Sequence, residues 1–105
     1  MITADGVLPI GLEFAGKRHS RFKIRPAKVR DTLDAIAEVE SDSGLKFYIA
    51  VLAKQLVELG DIPKEQITAA LLAELFDVDL AAIQVVQENL EKKFQPPKAS
   101  LTPIG

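Results

Sequence analysis

From Val7 to Phe14 apolar residues alternate with polar or small ones, placing Leu8, Ile10, Leu12 and Phe14 on one face and Pro9, Gly11 and Glu13 on the other. That two-residue period predicts a half-buried strand, and Pro9, with no N–H to give to a ladder, puts it at a sheet edge. Ala15-Gly16-Lys17-Arg18 reads as a tight turn. His19 to Arg25 then alternates again, with Phe22 and Ile24 opposite Arg21, Lys23 and Arg25. The expectation is a β-hairpin over 7–25 with one apolar and one basic face. A lone hairpin is marginal in water, so the apolar face must rest on helices or on another subunit.

After Pro26 the period changes to that of a helix. Val29, Leu33 and Ile36, with Ala37 widening the stripe, predict a helix over about 27–40, broken by Ser41-Asp42-Ser43-Gly44. Leu45, Tyr48, Ile49, Leu52, Leu56 and Leu59 mark one face of a second helix, 45–59, and Phe47 and Val51 extend that face sideways. Only Lys46, Lys54 and Glu58 remain as a polar stripe, the pattern of a central helix packed on more than one side. Gly60-Asp61-Ile62-Pro63 ends it.

Thr68 is placed to cap a short helix over 68–75 carrying Leu71, Leu72 and Leu75, and Asp77 or Asp79 to cap the last one, 78–94. There Leu80, Ile83, Val86 or Gln87, Leu90 and Phe94 point inward, and Lys92 and Lys93 suit the dipole at the C-terminal end. Residues 96–105 contain three prolines and no period, which predicts a flexible tail. The predicted fold class is α+β, mainly α: an N-terminal β-hairpin packed on a bundle of about four helices, one domain over residues 1–95.

Composition narrows the chemistry. The absence of Cys excludes disulfides, thiol catalysis and zinc fingers, and fits a reducing compartment. No apolar run approaches the roughly 20 residues that span a bilayer, so no membrane association is expected. Met-Ile-Thr-Ala-Asp-Gly at the start lacks the basic-then-apolar pattern of a secretory signal. With one His, one Tyr and no Trp, the chain offers no Ser-His-Asp set and no Gly-rich phosphate loop. His19 reads as an ordinary surface histidine, and Asp77-x-Asp79 lacks the third ligand, the Gly and the closing Glu of a calcium loop. A non-enzymatic protein with no catalytic residues, no cofactor and no metal is expected.

Charge is divided along the chain. Residues 1–30 hold seven Lys/Arg against Asp5 and Glu13, and residues 31–95 hold thirteen Asp/Glu against five Lys. This bears on the stretch from Ile67 to Phe94, whose two helices and short turn mimic a helix-turn-helix. The outward residues of its second helix would be Asp79, Ala82, Gln84, Val85, Glu88 and Glu91, which add negative charge where phosphates need Arg or Lys. The basic face of the hairpin, Arg21, Lys23 and Arg25, is the alternative: a small nucleic-acid-binding regulator working through a β-ribbon. No aromatic is interleaved among those cations, because Phe22 points the other way. Docking of an acidic protein surface, including the acidic helices of a second copy, suits the same face better.

The hairpin, then Ile24-Arg25-Pro26 leading into Val29-Arg30-Asp31-Thr32-Leu33-Asp34-Ala35, then a mostly apolar helix and Leu-Leu-Ala-Glu-Leu-Phe-Asp-Val-Asp-Leu-Ala-Ala-Ile at 71–83, resemble the Mu-like phage tail assembly chaperones. The resemblance spans residues 7–94 in the order and spacing of elements. It implies a chaperone of phage or prophage virion morphogenesis, working in the cytoplasm of the bacterial host. Such a chaperone binds the long tape-measure protein before the tail tube polymerises. It also implies a longer companion made by frameshifting, for which the tail beyond Gln95 is the natural attachment point. Grooves between helices would hold the partner; Ala82 and Val85, together with Arg21, Lys23 and Arg25, are the candidate partner or subunit contacts. A homo-oligomer is expected. A subunit of an unrelated multiprotein assembly shares all these features.

Overall fold

A computed structural model of the chain describes residues 2–39 and 44–94. The tail expected at 96–105 lies outside the described residues. Three strands and four helices follow in the order β1 (Ala4–Phe14), β2 (Lys17–Ile24), α1 (Val29–Glu38), α2 (Gly44–Gln55), β3 (Leu56–Leu59), α3 (Ala69–Leu72) and α4 (Asp77–Lys92), with one 3₁₀ turn at Lys64–Gln66. The architecture is α+β and mainly α. The sheet is antiparallel in the order β1-β2-β3, so β1 is at an edge and β2 in the middle.

The hairpin closes through a two-residue loop, Ala15 at φ 53° and Gly16 at φ 74°, between the paired residues Phe14 and Lys17. Two positive φ values in a row give the turn whose twist matches that of the strands. Further along, β1 departs from strict alternation. Val7 pairs with Arg21 and Leu12 with His19, so Leu8, Pro9, Ile10 and Gly11 stand opposite Ser20 alone. Inside this bulge Gly11 adopts φ 98°, a conformation that L side chains rarely take. Leu8 and Leu12 are therefore both buried, while Ile10, expected inward, is 40% exposed.

The helix expected over 45–59 stops at Gln55, and Leu56–Leu59 runs on without a loop as β3, pairing Phe22 with Leu59, Lys23 with Glu58 and Ile24 with Leu56. Two cations from elsewhere in the chain donate to the carbonyls freed where α2 passes into β3. Lys64 Nζ donates to the carbonyls of Ala53, Lys54 and Leu56, and Arg25 Nη2 to that of Lys54 at 2.9 Å. A helix end needs such acceptor partners, and here they are supplied from outside the helix. Leu52, Leu56 and Leu59 are buried, and their spacing of four and three also fits one face of a helix, which is why the apolar pattern does not reveal the break.

The core lies between the sheet and the helices and contains Leu8, Leu12, Phe22, Ile24, Leu52, Leu56, Leu59, Ile62, Ile67, Leu72, Ile83 and Leu90. Helix α4 lies against β1, α1 and α3 lie against α2, and Thr68 caps α3 by accepting the N–H of Leu71 at 3.2 Å. Phe94, expected inward, is 58% exposed. His19, read as a surface residue, is buried. Its Nδ1 accepts the N–H of Asp61 at 3.1 Å, and its Nε2 lies 3.3 Å from the carbonyl of Phe14. Gly60 makes room for the ring, because a Cβ there would come within 2.3 Å of Nδ1.

Candidate protein-binding groove

The charges of β2 do not form an open basic face. Arg25, at its end, makes a two-pronged contact with Asp31, Nη1 to Oδ2 at 2.7 Å and Nη2 to Oδ1 at 3.0 Å. Asp31 Oδ2 also accepts the N–H of Lys28 at 2.7 Å, which starts α1. The Arg25 guanidinium holds the Asp31 carboxyl below the usual carboxylate range, and burial opposes this less strongly. Lys23 pairs with Glu58 across the ladder at 3.4 Å. Of the three cations, Arg21 alone makes no ion pair among the described residues.

This hub forms one end of a groove between α1, α2 and the α3–α4 turn. The groove has a volume of about 1300 Å³. Its floor is apolar: Leu45, Ile49, Ala50 and Ala53 from α2, Ile67, Ala69, Leu72 and Ala73 around α3, and Phe76 and Leu80 at the start of α4. The small side chains on α2 and α3 keep it open. Charges ring it, with Asp31, Asp34 and Glu38 on α1, Lys46 and Lys54 on α2, and Lys64, Glu65 and Asp77 on the far side. Lys54 Nζ joins Glu38 Oε2 at 2.9 Å, tying α2 to α1. Glu65 and Asp77 make no ion pair among the described residues. Burial pushes the Lys64 amine below its usual range, with Arg25 adding to the effect.

Behind α2 lies a smaller recess of about 410 Å³, crossed by side-chain hydrogen bonds. Tyr48 donates to Gln87 at 2.6 Å, Gln87 to Gln55 at 3.0 Å, and Gln55 to the Arg25 carbonyl at 2.9 Å. The chain of bonds satisfies the buried Gln55 and fixes α4 against α2. Burial raises the Tyr48 phenol.

Only Arg25 among the five candidate contacts lines the groove. Ala82 is half-buried and Val85 56% exposed on α4, in line with the exposed Val78 three and four residues apart, away from the groove. Asp79, read as outward, is 0% exposed and faces β1, where its two oxygens accept the N–H groups of Ile10 and Gly11. Nor does it cap α4, whose N-cap is Phe76 without a side-chain bond. The groove floor left one trace in the sequence, the small residues Ala50, Ala53, Ala69 and Ala73 among larger apolar ones. Among the described residues no three His, Cys, Asp or Glu gather as a metal site, and no helix is long and apolar enough to cross a membrane. The chain matches no protein-family model, no curated protein and no solved structure.

Proposed function

We propose that the chain is a non-enzymatic assembly chaperone that holds an amphipathic helical segment of a longer protein in the groove between α1, α2 and the α3–α4 turn. The supporting observation is the groove itself. Its volume of about 1300 Å³ exceeds the roughly 300–1,000 Å³ usual for small-molecule pockets. An apolar floor inside a charged rim suits an amphipathic helix laid lengthwise. Leu45 and Phe76 are well exposed on that floor, so a partner gains apolar burial there without rearranging the core. With Glu65 and Asp77 on its rim, the groove favours a helix flanked by Lys or Arg.

The resemblance to the Mu-like tail assembly chaperones makes a phage tape-measure protein the proposed partner and the bacterial cytoplasm the proposed compartment. A longer frameshifted companion belongs to the same proposal, and translation of the natural gene into two products is its separate test. The decisive experiment is co-expression with the long helical protein encoded nearby. Wild type should render it soluble and co-purify with it, and Leu45→Asp with Phe76→Asp should lose both effects while remaining folded. If wild type captures none of the neighbouring products, or the double variant captures as well as wild type, the proposal is wrong.

A further inference from the structure

The recess behind α2 has a chemistry of its own. Phe47, Tyr48 and Val51 line it from α2, and Gln84, Glu88 and Glu91 line it from α4. Residues spaced by four and then three share one face of a helix, so α4 presents its amide and its two carboxylates along a single line. The recess shares no lining residue with the groove. At about 410 Å³ it falls near the lower limit of small-molecule sites, room for one long side chain or a small organic molecule.

Its lining identifies what fits. It includes two carboxylates and no Lys, Arg or His, and Glu88 and Glu91 make no ion pair among the described residues. Burial first, and then the charges of Glu91 and Glu88, hold the Tyr48 phenol above its usual range. The negative field of α4 therefore reaches the aromatic wall on α2. That wall is set in place beforehand, because Tyr48 donates to Gln87 and Gln87 to the buried Gln55. Aromatic rings beside carboxylates suit an organic cation, which the rings attract through their faces and the carboxylates through its N–H groups. A calcium ion would ask for about six or more oxygen ligands, and among the described residues no three His, Cys, Asp or Glu gather.

We propose that this recess binds an alkylguanidinium or alkylammonium ion, its stem against Phe47 and Val51 and its charged head among Tyr48, Glu88 and Glu91. The same chemistry is offered by a free small cation and by the end of an Arg or Lys side chain of a second copy. Glu88 and Glu91 are exposed, so the binding is weak and falls as salt rises. The recess and the groove take different sides of α2, so the outcome is independent of whether the groove holds a partner.

Tyr48 is the chain's one tyrosine and there is no Trp, so intrinsic fluorescence reports this recess directly. With n-butylguanidinium as the probe, Tyr48 emission of the full chain should change saturably at low salt, with roughly millimolar affinity. The bound cation should also lower the pH at which the phenol ionises. Glu88→Gln with Glu91→Gln should weaken binding about tenfold, with circular dichroism unchanged. The uncharged n-butylurea should give no saturable response. A saturable response supports a free-cation site if emission of the chain alone is constant on dilution, and a socket for a neighbouring copy if dilution alters it. Three results would overturn the proposal: no saturable response to n-butylguanidinium, an equal response to n-butylurea, or a folded double variant that binds as well as wild type.

Discussion

Gly11 donates its backbone N–H to Oδ2 of Asp79 over 3.2 Å, and Ile10 donates to Oδ1 of the same carboxylate over 2.8 Å. The bulge in β1 turns both N–H groups away from β2, and the first turn of α4 delivers an acceptor to them. A carboxylate at 0% exposure is tolerable here because it accepts two N–H bonds and sits at a helix N-terminus. Asp79→Ala strands both N–H groups and should cost about 3 kcal/mol in urea unfolding. Asp79→Asn keeps one acceptor and should cost less. A loss below about 0.5 kcal/mol for the alanine variant, the range of an ordinary surface change, would mean that the bulge needs no such anchor.

Acid should weaken the fold through Asp31. Its carboxyl is lowered in the folded state, chiefly by the hydrogen-bonded Arg25. The resulting stabilisation is complete above the ordinary carboxylate pKa of about 3.9 and is lost as the pH falls through the lowered folded value. Asp31→Asn should therefore be less stable than wild type by about 2 kcal/mol at neutral pH, and the gap should close in strong acid. A gap that stays constant down to pH ~2 would assign the effect to packing rather than to the charge pair.

Local signals were readable where the cause was local. The turn at Ala15-Gly16, the cap at Thr68 and the edge position of β1 follow from residues within a few places of the feature they create. Remote partners set the rest. Whether Leu56–Leu59 is helix or strand depends on Lys64, Arg25 and the free edge of β2, and Ile10 turns outward because Asp79 anchors the bulge. The groove is assembled from four segments, so no single period announces it, and the alternation that sets Arg25 on a basic face carries no sign of Asp31 opposite it.

Ala15 is the described residue other than glycine with a positive φ, 53°. Such a conformation crowds its Cβ, whereas Asn and Gly accept it readily. Ala15→Asn should stabilise the protein by roughly 0.5–1 kcal/mol, read as a higher urea midpoint with an unchanged slope. A lower midpoint would show that the loop leaves the two-residue geometry in solution.

Lys64 donates to three carbonyls where α2 passes into β3, while burial disfavours its charged form. Lys64→Met keeps the aliphatic stem but leaves the carbonyls without a donor, and should lower stability by about 1–2 kcal/mol. Hydrogen exchange should then quicken first at Leu56–Leu59. Unchanged exchange there would mean that β3 is held by its ladder to β2 alone.

The loop-free passage from α2 into β3 also bears on the route by which the chain folds. Residues 45–59 form one continuous helical pattern, and helical turns form in well under a microsecond, long before a strand can find a partner more than thirty places away. The early chain should therefore wind through Leu59 and later unwind its last turn to complete the sheet. Stopped-flow ellipticity should overshoot the native helical signal before settling. Destabilising substitutions at Val57 should speed unfolding and leave refolding nearly untouched. A monotonic rise in ellipticity would mean that β2 captures this segment before the helix reaches it.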